Sequence, residues 1–391
     1  MFWLICYPHN SKYATDLFAD ADLLKRLALV SHSFLQICSK HLFATIELHD
    51  VIPELHVASS KKGFVKLLRS RPDVVNYIRK LTYEVGFTYS SSSESEDDRI
   101  LSNFLRTISR LNCLKITGVA YHQDWNTLDS SLTSAFLDLI HLPTINHIDL
   151  SCIRNFPLSS LTSSINLHRL DIYHLRLDSP EIVVLLEMMP KIREFQVLDS
   201  SRVATKLLHA KTQDGRPAFN FMDLRRFSTT FNGFKDQQII RYLLQNAKLL
   251  EKLHLILRWS LVGLLSSSAH TLKVLDLSLS LNSSVSLLAG VCEELEVMAG
   301  HNMLEALTFD VYVYDHNLEH FIGPIIQKVE SVLVKPGWSA LRQVSFLISI
   351  GRMGNGKLFE VLQSLPDKYL THLSKPDSVA FSYSVSLAST T

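Results

Sequence analysis

One short phrase, apolar-x-x-apolar-x-apolar, recurs in this chain from about residue 75 onward and limits its fold more than any other feature. Its copies are Ile78/Leu81/Tyr83, Leu111/Leu114/Ile116, Ile145/Ile148/Leu150, Leu167/Leu170/Ile172 and Ile192/Phe195/Val197. Leu224/Phe227, Leu250/Leu253/Leu255, Leu272/Leu275/Leu277, Leu304/Leu307/Phe309 and Leu341/Val344/Phe346 complete the set. The residue between the last two core positions is polar every time: Thr82, Lys115, Asp149, Asp171, Gln196, Ser228, His254, Asp276, Thr308 and Ser345. Strict in-out alternation is what a strand with one buried face requires. A buried helix has no reason to keep a polar residue at that one place.

Between the phrases lie segments with apolar residues at i, i+3, i+4 spacing: DDRILSNFLRTISRL, SSLTSAFLDLIHL, PEIVVLLEMM, DQQIIRYLLQNAKLL, LLAGVCEELEVMAG and LEHFIGPIIQKVESVL. Each predicts an amphipathic helix. Pro180 suits a first helical turn, and Asp129 or Ser130 a cap. A single strand-helix unit is too small to hide its own apolar face, so neighbours stack and bury their faces together into a curved solenoid. The middle core positions recur every 22 to 37 residues or so, the range of leucine-rich repeats and their longer, irregular relatives. A regular leucine-rich repeat places Asn or Cys three residues after its last core position. Only Asn232 falls there. The expected fold class is therefore α/β: an irregular leucine-rich-repeat-like solenoid over residues 51–391. An alternating α/β sheet protein is the structural alternative.

Composition excludes more than it assigns. A chain of 391 residues with 47% hydrophobic content can hold one elongated domain or two to three compact ones. A net charge of +1 gives no push toward nucleic acid or a membrane surface. The basic pairs Arg225-Arg226 and Lys61-Lys62 are isolated, and no basic stripe interleaved with aromatics is present. Five scattered cysteines form no CxxC pair, so neither a zinc ribbon nor a disulfide framework is expected, and a reducing cytoplasmic or nuclear compartment fits. MFWLIC lacks a basic n-region and is too short for a signal peptide, and no apolar run approaches the ~18–20 residues that span a bilayer.

The residues point to no cofactor, no metal and no catalytic set. GRMGNGKL (Gly351 to Leu358) fits the spacing of a phosphate-binding loop after a strand-like run. Leu358 stands where a magnesium-binding hydroxyl belongs, and about 33 residues remain after it. A flexible turn between a strand and its helix is the expectation. Seventeen histidines include no HExxH, and no GxSxG is present. TQDGRPAFN reads as a polar loop turning at Asp214-Gly215. YSSSSESEDD (Tyr89 to Asp98) reads as a solvated loop, and its serines followed by acids suit phosphorylation.

Residues Leu23 to Leu48, LLKRLALVSHSFLQICSKHLFATIEL, read as a short amphipathic helix, a polar turn, a second helix and an extended tail (Thr45, Ile46, Leu48). A leucine pair (Leu23, Leu24) precedes a small apolar cluster (Ala28, Leu29, Val30), a polar step with an aromatic (Ser31, His32, Phe34), and a Leu-Phe pair (Leu42, Phe43). This spacing resembles the C-terminal two thirds of an F-box, and the wording is similar to the large F-box families of mushroom-forming (basidiomycete-type) fungi. The Leu-Pro-x-Glu-like start of a full F-box does not occur in residues 1–22, so that part of the motif is expected to be divergent or to lie upstream.

The resemblance implies a helical module over residues 1–50 that docks on the Skp linker subunit and through it on a cullin-RING (SCF) ubiquitin ligase. Leu23, Leu24, Leu27, Leu29, Val30, Phe34 and Leu42 would fill the partner's groove. The chain would then be a non-enzymatic adaptor whose repeats hold a target protein, its identity unspecified. The candidate target-binding residues come from the polar row: Lys115, Asp149, Asp171, Gln196, His254 and Asp276. The three aspartates point to a target with a basic patch. A protein-interaction scaffold without ligase docking is the alternative, with the N-terminal leucines serving as a cap. An enzyme on an α/β sheet would need a deep pocket with convergent titratable groups.

Overall fold

Every one of the recurring phrases becomes a β-strand, preceded by its leading apolar residue. The computed structural model describes residues 26, 31–49, 60–85, 96–119, 123–178, 183–184, 189–261, 263–281, 286–313, 319–351, 356–375 and 379–387. These form two compact units, residues 1–166 and 167–391. In the first, strands β1 (Thr45–His49), β2 (Lys80–Val85), β3 (Cys113–Gly118) and β4 (His147–Ser151) pair in parallel and in sequence order. In the second, the parallel strands are β5 (Arg169–Tyr173), β6 (Glu194–Leu198), β7 (Arg226–Phe231), β8 (Lys252–Leu257), β9 (Val274–Leu281), β10 (Ala306–Val313), β11 (Gln343–Ile350) and β12 (Ala380–Leu387). They too follow one another in sequence order.

A second regularity is independent of the apolar pattern. At the start of nearly every strand pair, one carbonyl accepts the N–H groups of two successive residues on the next strand. Ala44 O receives Arg79 and Lys80, and Arg79 O receives Asn112 and Cys113; Asn112 O receives Asn146 and His147. In the second unit His168, Arg193, Arg225, Glu251, Lys273 and Glu305 act identically. The chain therefore joins the ladder by the same step each time, as structural repeats do.

The apolar positions of all ten phrases are at most 7% exposed. Within each unit they form one strand face, and that unit's helices supply its cover. In the first unit these are α1 (His32–Leu42), α2 (Ser60–Ser70), α3 (Glu96–Leu105) and α4 (Ser130–Ile140). The second contains α5 (Ser201–His209), α6 (Phe234–Asn246), α7 (Ser286–Met298), α8 (Glu319–Leu333), α9 (Gly356–Gln363) and α10 (Leu365–Tyr369). Helix α4 illustrates the logic: Asp129 caps it by accepting from Leu132 N at 3.0 Å, and Leu132, Ala135, Phe136, Leu139 and Ile140 make its buried face. Phe136 meets Tyr83 of β2 edge-on, with ring centroids 5.0 Å apart.

One expectation needs correction. The segment PEIVVLLEMM contributes a two-residue strand, Val183–Val184, paired with Lys211–Thr212. Its β-branched run Ile182-Val183-Val184 favours extended backbone over the helix its spacing predicts. Residues 179–182 and 185–188, with Pro180 among them, lie outside the described residues. The extended tail expected at Thr45, Ile46 and Leu48 does form a strand: β1 pairs with β2 from Thr45↔Lys80 to His49↔Glu84.

Helix carboxylates tie some connections together. Glu294 on α7, 3% exposed, accepts from the backbone N–H groups of Gly263, Leu264 and Leu265. Glu330 on α8 accepts from His372 N at 2.7 Å and Leu373 N at 3.2 Å. Among the described residues no helix is long and apolar enough to cross a membrane.

Candidate functional site

The face opposite the helices carries the polar row. In the first unit Glu47, Thr82, Lys115 and Asp149 stand side by side in register. In the second the row runs Asp171, Gln196, Ser228, His254, Asp276, Thr308, Ser345 and Ser382. The structure thus places Lys115 and Asp149 on adjacent strands of the first unit. Asp171 neighbours Gln196, and His254 neighbours Asp276, in the second.

All three aspartates face a cation, so the basic-patch expectation loses its ground. Asp149 pairs with Lys115 at 3.1 Å and also accepts from Ser151 Oγ at 2.9 Å. Asp171, 3% exposed, pairs with Arg169 at 2.8 Å. Asp276 pairs with Lys252 at 2.8 Å. Burial alone would pull the Arg169 guanidinium down; the hydrogen bond to Asp171 and the charges of Asp171 and Glu194 outweigh it and raise the pKa. Glu194 extends the network, lying 3.6 Å from Arg169 and 3.3 Å from Arg226.

His254 is held from both sides. Its Nδ1 lies 2.9 Å from Ser228 Oγ and its Nε2 lies 3.1 Å from Ser278 Oγ. Ser278 in turn hydrogen-bonds Asp310, as does Tyr312. Burial pushes the Asp310 carboxyl up despite both of these hydrogen bonds. The result is a polar chain across four strands, β7 to β10: Ser228, His254, Ser278, Asp310.

Ser278, Asp310 and Tyr312 are the residues that the phrase-based reading missed. Strands β9 to β12 have eight residues each, so the outward alternation runs two rows beyond the phrase. Ser278, Asp310, Leu347 and Ser384 form one such row, and Ser280, Tyr312, Ser349 and Ser386 the next. Continuing the alternation past Leu277 and Phe309 would have found them. Hydroxyl groups dominate these rows.

Of the docking residues, Leu23, Leu24, Leu27, Leu29 and Val30 lie outside the described residues, and Phe34 is placed only as part of the α1 backbone. Leu42 ends α1 and is half-buried. Cys38 and Ser39 on the same helix are buried.

A cavity of about 10 Å³, lined by Asp199, Ser200, Thr229, Thr230, Asn232 and Asp236, sits at the C-terminal ends of β6 and β7. That is room for about one water molecule, well short of a small-molecule site. Among the described residues no group of three His, Cys, Asp or Glu side chains is arranged to hold a metal ion. The phosphate-loop-like segment joins β11 to α9: Gly351 follows the strand, the helix begins at Gly356, and residues 352–355 lie outside the described residues. No family model matches the chain, and no curated protein matches it.

Proposed function

We propose that the chain is an adaptor: it holds a target protein on the outward strand face of residues 167–391, while residues 23–42 dock on the Skp linker subunit of a cullin-RING ubiquitin ligase. The observation that carries the binding half is the composition of that face. Thr308, Tyr312, Ser349, Ser382, Ser384 and Ser386 present hydroxyls in register, while the row's aspartates are already paired with Arg169 and Lys252. Such a face recognises a target by hydrogen bonds and shape, with little net charge. The recurring ladder start supports reading each unit as an irregular, leucine-rich-repeat-like solenoid, and repeats of that kind use their extended strand face for binding. Catalysis would be indirect, by raising the target's local concentration near the ligase. The ligase half rests on the F-box-like spacing of Leu23 to Leu48.

A scaffold without ligase docking is the second reading. It is favoured by the way the segment is built into the first unit: α1 buries Cys38 and Ser39, and the tail that follows is β1. The same residues would then cap the ladder.

Photo-crosslinking tests the binding face. A benzophenone amino acid at Thr308 is expected to give a discrete adduct in extracts of the native cell, whereas one at the exposed Gln327 of α8 gives none. Equal adducts from both positions, or adducts from Gln327 alone, would remove the strand face from the proposal.

A further inference from the structure

Strand β12, AFSYSVSL, pairs with β11 along one edge, from Gln343↔Ala380 to Ile350↔Leu387. Ala380 N donates to Arg342 O at 2.8 Å. Successive residues of a parallel strand direct their N–H and C=O groups to opposite edges. Ser382, Ser384 and Ser386 therefore bond inward to β11, and Phe381, Tyr383, Val385 and Leu387 direct theirs outward. Among the described residues no strand occupies that outer edge. Natural edge strands are usually blunted by a charge, a proline or a bulge. The eight residues of β12 include no charged side chain and no proline.

Two further observations specify what fits there. The face that β10 and β11 bury continues onto β12 without full cover: Phe346 and Ile348 are 1% exposed, whereas Leu387 is 63% exposed and Phe381, Tyr383 and Val385 are half-buried. The strand's pattern is also symmetric about Ser384: apolar, Ser, apolar, Ser, apolar, Ser, apolar from Phe381 to Leu387. An antiparallel pairing of two such strands about a two-fold axis at Ser384 sets Phe381 opposite Leu387 and Tyr383 opposite Val385 on one face. On the other it sets Ser382 opposite Ser386 and Ser384 opposite itself. All four outward-directed residues fall at hydrogen-bonded positions, aromatic residues meet aliphatic ones, and no like charges oppose.

We infer that β12 is a self-association edge and that its occupant is the β12 strand of a second copy of this chain, giving a closed, two-fold dimer. The inference does not depend on ligase docking. Pairing with the β1 edge of another copy would be heterologous and would generate rings or open series of oligomers instead.

The test is the molar mass of the full chain by light scattering across a concentration series. The native chain is expected to be a dimer. Ser384→Lys, at an exposed side chain, sets two lysines against each other at the axis and is expected to weaken the dimer about tenfold or more. Ser384→Glu should do the same, and mixing the Lys and Glu variants should restore a heterodimer, which only a two-fold axis at Ser384 predicts. Val385→Pro removes an outward N–H without touching the ladder to β11 and should give a folded monomer with an unchanged far-ultraviolet spectrum. A native chain that stays monomeric, forms open series of oligomers, or forms a dimer indifferent to Ser384→Lys would overturn the inference.

Discussion

Phe309→Ala is expected to cost about 3–5 kcal/mol of unfolding free energy, the range for removing a fully buried aromatic ring. Phe309 is 0% exposed, lies between Leu277 and Phe346 in the register, and stacks on Phe346 with ring centroids 4.6 Å apart and planes 14° apart. The loss combines apolar transfer, the cavity left behind and the aromatic pair itself, worth about 0.5–1.5 kcal/mol beyond its area. The damage should concentrate on the strands that pair directly with β10, namely β9 and β11. Hydrogen exchange should therefore show protection falling in β9, β10 and β11 before it falls in β5. A urea transition shifted by less than about 1 kcal/mol would mean that this stack is not part of the core.

Glu294→Leu is expected to cost about 2–4 kcal/mol, because a buried donor left without its acceptor loses roughly 1–3 kcal/mol. Its carboxylate gathers three backbone N–H groups at the connection following β8, those of Leu264 and Leu265 in a buried setting and that of Gly263 at its edge. Replacing a buried charge by a hydrophobe is often harmless when both members of an ion pair are removed together. Here the partners are main-chain donors that no side-chain change removes, so the penalty stays. Glu294→Gln keeps one acceptor oxygen and should fall between the native chain and the leucine variant in urea midpoint. A leucine variant as stable as the native chain would show that the connection finds other acceptors.

What could be read from the sequence follows from local rules. The ten strand phrases were legible because burial of one face forces period-two alternation, and all of them became strands. The cap at Asp129 and the turn at Asp214-Gly215 were legible because each rests on local chemistry; Gly215 takes φ 82° and its N–H bonds Thr212 O at 2.9 Å. PEIVVLLEMM misled because i, i+3, i+4 spacing and a β-branched run compete within the same few residues. The ion pairs were not legible. Lys115 meets Asp149 and Lys252 meets Asp276 only once neighbouring strands are in register, and 34 residues separate the first pair. The polar chain from Ser228 to Asp310 stayed hidden for the same reason, since it crosses strands and continues past the end of the phrase. The boundary after Asn166 has no composition shift to mark it.

The most direct test of the adaptor account is co-purification of the full chain with the Skp linker subunit, alongside a Leu24→Asp/Leu27→Asp double variant. The account predicts that the native chain captures the subunit in a defined ratio. The double variant, folded as judged by an unchanged urea transition, should capture none. A folded native chain that fails to capture the subunit would contradict the account and leave the scaffold reading in its place.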